Sequence, residues 1–151
     1  LEEIITNTLT VLAFDYKSVA TIEANFDPEL PEVACIYDEL SQVLLNMLVN
    51  AAYAIRQKNQ GMGVIGVSTR RLGNMARMTI SDTGMGMSED TQRKIFEPFF
   101  TTKPMGEGTG QGLAISYRVI VEKHHGALSF ESELGIGTSF HIDLPLSEDV
   151  D

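Results

Sequence analysis

GEGTGQGLAIS, Gly106 to Ser116, sets four glycines at every second position and runs directly into an apolar-periodic segment. Glycine carries no Cβ, so Gly106, Gly108, Gly110 and Gly112 permit backbone conformations closed to other residues, and successive N–H groups can turn toward one anion. A helix opening near Gln111 adds the unpaired N–H groups and positive dipole end of its first turn. Such a run can cradle phosphate. A glycine-rich loop is also a common flexible connector, and the run by itself does not choose between the two.

The chain of 151 residues is long enough for one domain that buries about two-thirds of its unfolded surface. Its one cysteine, Cys35, excludes an internal disulfide, suits a reducing compartment, and in the run VACIY reads as a small buried hydrophobe. Eleven basic against twenty-one acidic side chains give a formal charge of −10. That balance excludes the broad positive field on which nonspecific nucleic-acid or anionic-membrane binding relies, so any polyanion must be held locally. No apolar run approaches the roughly 20 residues that span a bilayer, and no basic-then-apolar signal segment opens the chain. The start at Leu1, inside an amphipathic pattern, is what a piece of something longer would show.

Leu1, Ile4, Ile5, Thr8, Leu9 and Leu12 predict a first helix. Val19 to Phe26 predicts a strand ended by Asp27-Pro28, and Glu32 to Tyr37 a further short one. Asp38 is then the expected N-cap of the clearest amphipathic helix, with Leu40, Val43, Leu44, Met47, Leu48, Ala51 and Ile55 as its apolar stripe. Val64–Arg71 and Met75–Ser81, separated by Leu72-Gly73-Asn74, read as a hairpin. Ser88 opens a short helix to about Ile95, and residues 96 to 110 form a loop of a length that is usually functional or mobile. Gln111 to Lys123 reads as a helix with Leu113, Tyr117, Ile120 and Val121 on one face; Ala127–Glu131 and Ser139–Leu144 are a closing strand pair. The expected fold is an α/β two-layer sandwich, a mixed and largely antiparallel sheet covered on one face by about three helices. Residues 1–146 make one domain, followed by the acidic tail 147–151.

Two constellations carry chemistry. Gln42, Asn46 and Asn50 recur every fourth residue, stacking their amides beside the apolar stripe. Asparagine is a poor helix-interior residue because its side chain competes for backbone hydrogen bonds. Two of them a turn apart are either solvated amides or ligands, and an amide oxygen suits a hard cation such as Mg²⁺ that keeps water and phosphate in its shell. The second is SDTGMGM, Ser81 to Met87, following a strand. Asp82 there is a turn residue or a hydrogen-bond acceptor for a ligand, and Gly84 and Gly86 leave backbone against which a flat ligand can lie. A carboxylate only accepts, so it favours adenine over guanine at that edge.

Four segments in order, LNMLVNA (Leu45–Ala51), DTGMGM (Asp82–Met87), IFEPFFTTK (Ile95–Lys103) and GEGTGQGLAIS, resemble the asparagine, first glycine, phenylalanine and second glycine boxes of the catalytic ATP-binding domain of sensor histidine kinases. His125 to Pro145 is similar to the end of that domain. The resemblance implies the Bergerat α/β sandwich shared with gyrase-type and chaperone ATPases, with ATP and Mg²⁺ as ligands. It makes Asn50 the Mg²⁺ ligand and Asn46 its partner beside the phosphates, these two with Lys103 being the catalytic set. Asp82 reads the adenine amine, with Gly84, Gly86 and Thr138 near the base. Gly108, Thr109, Gly110, Gln111, Gly112 and Leu113 cradle the phosphates, and Phe96 to Lys103 with the following glycines form a lid.

In ATPase relatives a glutamate one turn before the metal asparagine activates water; this chain has Asn46 there, which cannot act as a general base. ATP is therefore expected to be held for transfer. None of the three histidines has the helical Glu/Asp and Pro context of a phosphoacceptor: His124 and His125 end a helix, and His141 falls in a strand. The implied acceptor is a histidine on a separate dimerisation domain of the full-length protein, with a response regulator downstream, no nucleic acid, and a monomeric, cytoplasmic catalytic domain even if the intact protein is membrane-anchored. Two positions depart from the family pattern. Gln111 stands where leucine is usual, and Tyr53 where many relatives carry a basic residue near the phosphates, leaving Lys103 and, more weakly, Arg56 as candidate phosphate cations. Phe96 is expected in the core, and Phe99 and Phe100 in lid or partner docking. An ATPase switch and a nucleotide-free docking module are the competing readings.

Overall fold

The hairpin expected between Val64 and Ser81 forms the middle of the sheet. In the computed structural model, which describes residues 1–12, 16–97 and 112–146, β2 (Gly63–Leu72) and β3 (Met75–Asp82) pair antiparallel through a turn at Gly73-Asn74. β1 (Ala20–Asn25) lies parallel to β2, and β5 (Gly137–Pro145) pairs antiparallel with both β3 and β4 (Ala127–Glu133). The five strands run in the order β1-β2-β3-β5-β4, a mixed and largely antiparallel sheet. The parallel pair requires a crossover, and α2 (Tyr37–Lys58) supplies it.

Period-two alternation sends Ile65 and Val67, Ala76, Met78 and Ile80, and Phe140, Ile142 and Leu144 to one face, where all are buried. On the other face Arg77 donates to both carboxylate oxygens of Asp143 at 2.7 and 2.9 Å, and His141 bridges Thr79 and Glu131 at 2.9 and 3.0 Å. The apolar face meets α2, whose Leu40, Val43, Leu44, Met47, Leu48, Ala51 and Ile55 are the stripe read from the sequence and are all buried. α1 (Glu2–Val11) packs on α2 through Ile4, Ile5 and Thr8. α3 (Glu89–Lys94) starts at Ser88, whose hydroxyl accepts the Thr91 N–H at 3.2 Å. α4 (Gly112–Tyr117) completes the helical layer on α2. Phe96 joins the edge of the core, its ring 5.3 Å from that of Tyr117 and 5.7 Å from that of Phe130. No helix among the described residues is long and apolar enough to cross a membrane.

Three local expectations are corrected. The expected strand Glu32–Tyr37 does not form: among the described residues it finds no ladder partner, Tyr37 already belongs to α2, and the Ile36 N–H is taken by His124 Nε2 at 2.9 Å. That bond leaves Nδ1 as the protonated nitrogen, which donates to Val119 O at 2.8 Å. Asp38 is not the N-cap, because α2 begins at Tyr37 with Ile36 in the cap position; Asp38 and Glu39 instead face the positive dipole end from within the first turn. The helix expected to run to Lys123 is α-helical only to Tyr117 and continues as a π-helical turn, Arg118–Lys123, in which the His124 N–H reaches back to Val119 O. Ser116, Val119 and Ile120 are buried, and Tyr117, expected on the buried face, is 41% exposed.

Leu44 lies at 0% exposure between the sheet and α1. Leu44→Ala is expected to cost about 2–5 kcal/mol of stability in urea unfolding; a loss below about 1 kcal/mol would contradict this placement of the core.

Candidate functional site

α2 carries a second row of side chains beside its buried stripe. Asn46, Asn50, Ala54 and Lys58 follow one another at intervals of four, a row that winds slowly around the helix. Asn46 and Asn50 are half-buried. Each end of the row meets a glycine of another segment.

At the first end, an added Cβ on Gly112 would lie 2.2 Å from Asn46 Oδ1, so any larger residue there would displace that amide from the first turn of α4. Asn46 Nδ2 donates to Ser116 Oγ at 3.4 Å, and that hydroxyl donates to Gly112 O at 2.8 Å. Ser116 is 2% exposed, so this contact ties α4 to α2 in the interior. At the other end, an added Cβ on Gly84 would lie 2.6 Å from Ala54 Cβ, and Met85 N–H donates to Ala54 O at 3.2 Å. Lys58 Nζ donates to Thr83 O at 3.3 Å. From Asn46 to Ala54 the helix rises about 12 Å, the spacing along α2 between its contact with the start of α4 and its contact with the turn after β3.

Asp82 ends β3 at that turn. Its Oδ1 accepts the Gly84 N–H at 2.8 Å, and its β5 partner in the sheet is Thr138. Thr138 is buried, its hydroxyl 2.8 Å from Ser132 Oγ, which also accepts the Met87 N–H at 2.8 Å. Gly86 adopts φ +69, with Glu133 O only 2.1 Å from where a Cβ would stand, so the turn is locked against the β4–β5 hairpin. The missing side chains of Gly84 and Gly86 thus serve close packing of the turn on protein, and any ligand would meet its backbone. Burial pushes the Asp82 carboxyl up to about 6, against the opposing pull of the Gly84 and Thr138 N–H groups and the Lys58 ammonium.

The sequence-derived residues fall into two sets. Asn46, Asn50, Asp82, Gly84, Gly86, Gly112, Leu113 and Thr138 are among the described residues, with Asn46 and Gly112 meeting at one end of the α2 row and Asp82, Gly84, Gly86 and Thr138 at the turn by the other. Lys103, Phe99, Phe100 and the glycine run through Gln111 lie outside the described residues, as does the acidic tail. Tyr53 is half-buried and Arg56 exposed on α2. Among the described residues no group of three His, Cys, Asp or Glu side chains could hold a metal, so a cation here would rest on an amide oxygen and on its ligand's own oxygens. Ser116, Ser132, Ala54 and Lys58 were not anticipated. Ala54 and Lys58 continue the four-residue interval of Asn46 and Asn50, which was a usable signal; the serines had none.

The family model for histidine kinase-, DNA gyrase B- and HSP90-like ATPases matches residues 35–148. The chain belongs to this family. Among relatives of this ATPase family, the sensor histidine kinase ZraS of Escherichia coli (strain K12) is 38% identical over 149 residues, 97% of this chain and 30% of ZraS. The nucleotide-free catalytic domain of the histidine kinase ThkA superposes with a TM-score of 0.81 at 28% identity, covering 96% of this chain and 91% of that domain. Full-length ShkA, solved in complex with AMPPNP, superposes with a TM-score of 0.82 at 25% identity over 99% of this chain and 31% of ShkA. The chain spans about 30% of the length of the curated relatives it matches. Membership in the ATPase family implies ATP binding, and the fold is that of histidine kinase catalytic domains.

The rise of the Asp82 carboxyl from 3.8 to about 6 corresponds to roughly 3 kcal/mol by which folding disfavours its ionised form. A raised folded-state value means that the folded chain holds this proton more tightly than the unfolded one. The cost is full above pH 6 and is relieved as pH falls toward 4. Asp82→Asn is therefore expected to raise the thermal midpoint of the ligand-free chain by several degrees at pH 8, with the gain shrinking toward pH 4, in calorimetry. A variant less stable than the parent at pH 8 would contradict this.

Proposed function

We propose that this chain binds Mg·ATP along the α2 row and donates the γ-phosphoryl group to a histidine on a separate dimerisation domain, as a step in two-component signalling. The observation that carries the reading is the half-buried carboxyl of Asp82 on the turn at one end of the α2 row, whose other end is Asn46 and Gly112. An ionised carboxylate accepts from the exocyclic amine of adenine and repels the carbonyl that guanine would present there. Gly84, Gly86 and Thr138 flank the base, and the triphosphate runs toward Gly112 and Leu113. Lys103, Gly108, Thr109, Gly110 and Gln111, which lie outside the described residues, complete the phosphate cradle in this reading.

Asn50, in the middle of the row, contributes an amide oxygen of the kind a hard cation takes. Mg²⁺ bound there would neutralise charge on the phosphates. Asn46 has no carboxylate with which to take a proton from water, and its amide is committed to Ser116. Transfer is therefore favoured over hydrolysis, and the chain's part is positioning. The chain's own histidines are poor acceptors: both ring nitrogens of His124 and of His141 are hydrogen-bonded, and His125 sits at a positive φ beyond the helix end. Residues 1–146 then act as one catalytic unit on an acceptor supplied elsewhere, with a response regulator receiving the phosphoryl group next.

Calorimetric titration with a non-hydrolysable ATP analogue should give Mg²⁺-dependent binding. Asp82→Asn should weaken it by about 1–3 kcal/mol, and Asn50→Ala should abolish the Mg²⁺ dependence. Steady phosphate release from ATP should be negligible. Rapid release would favour an ATPase switch, and absence of binding by the parent chain would overturn the nucleotide reading.

A further inference from the structure

Lys58 stands at the end of the α2 row, half-buried, with its ammonium on the carbonyl of Thr83, the residue between Asp82 and Gly84. Thr83 is fixed from the other side as well: its hydroxyl accepts the Val64 N–H at 2.9 Å, and its own N–H donates to Val64 O at 3.2 Å. The turn that bears the Asp82 carboxyl is thus held between β2 and one cation. The other groups around that carboxyl are neutral: Ile65 on β2 and Thr138 on β5 are its sheet partners, Ser132 on β4 bonds Thr138, and Gly84 donates from the turn. Glu133 of β4 meets the turn through its carbonyl at Gly86, and its side chain is exposed.

We propose that Lys58 is a positioning residue for nucleotide binding, which pins the Asp82–Gly84 turn through the Thr83 carbonyl and adds a positive charge that favours the Asp82 carboxylate as acceptor for adenine. This rests on the ATP reading above. A half-buried carboxyl accepts the stronger, charge-assisted hydrogen bond while it is ionised and is helped to stay so by a nearby counter-charge, whereas a cation in direct contact would compete with the base for its oxygens. Lys58 meets both conditions by bonding the neighbouring carbonyl and acting on Asp82 through space. The Lys58 charge indeed acts to lower the Asp82 carboxyl, opposing burial.

The test is the pH profile of affinity for a non-hydrolysable Mg·ATP analogue between pH 5.5 and 8.5, for the parent, Lys58→Met and Lys58→Arg, with thermal unfolding at pH 8 to check folding. The parent is expected to lose affinity as pH falls through about 6. In Lys58→Met that loss should begin at higher pH, leaving binding about two- to five-fold weaker than the parent near pH 6 and nearly equal at pH 8.5, and Lys58→Arg should restore the parent profile. A constant offset at every pH, or superimposable profiles, would overturn the proposal. Carbon NMR titration of the Asp82 carboxyl in the ligand-free proteins gives an independent reading, in which Lys58→Met must titrate at higher pH than the parent. Failure of the parent to bind at all would instead overturn the ATP reading, and this proposal with it.

Discussion

The placement of the polar row depends on α2 lying flat on the sheet. Its buried stripe from Leu40 to Ile55 is pressed against β2, β3 and β5, and that contact sets where the neighbouring row of Asn46, Asn50, Ala54 and Lys58 stands relative to the end of β3. A helix rotated by one residue, about 100°, would bury the asparagines and expose leucines, so the hydrophobic term that folds the chain also aims its polar row. The site needs no scaffold of its own. It uses the shoulder of a helix whose position is already determined by burial of large side chains worth about 1.5–3 kcal/mol each.

The contacts at the ends of that row are close approaches of backbone to side chain. Gly112 on Asn46 and Gly84 on Ala54 bring segments distant in sequence to within a separation that a single methyl group would prevent. At the Gly84 end stands a carboxyl that folding destabilises in its charged form. A group whose charged form folding disfavours is a candidate for a functional role, and the proposed adenine contact gives Asp82 one. The sheet's opposite face shows the contrast: Arg77 and Asp143, Thr79, His141 and Glu131 satisfy one another without any outside partner.

Much of this was legible from residue order because the informative residues are locally unfavourable. Asparagines inside the strongest helix conflict with local helix preference, and conflicts of that kind are where a functional site is expected. The alternation of β2, β3 and β5 was equally plain, since one face of each strand is buried. Other features had no comparable signal. Serines at 116 and 132 look like ordinary polar positions until the fold brings Asn46 and Thr138 beside them. The π turn at Arg118–Lys123 follows an apolar pattern that a regular helix would satisfy as well, and is selected by tertiary packing of Val119, Ile120 and His124. Glu32–Ile36 had the composition of a strand but no strand to pair with, a property of the sheet order and not of the segment.

The central claim is that one elongated nucleotide lies along the α2 row, with its base at Asp82 and its phosphates toward Asn50 and Gly112. A crystal structure of the chain with Mg²⁺ and a non-hydrolysable ATP analogue tests it most directly. The account predicts the adenine amine within hydrogen-bond distance of the Asp82 carboxylate and the metal on the Asn50 amide oxygen. A nucleotide bound elsewhere, or one whose base leaves Asp82 without a donor, would contradict it.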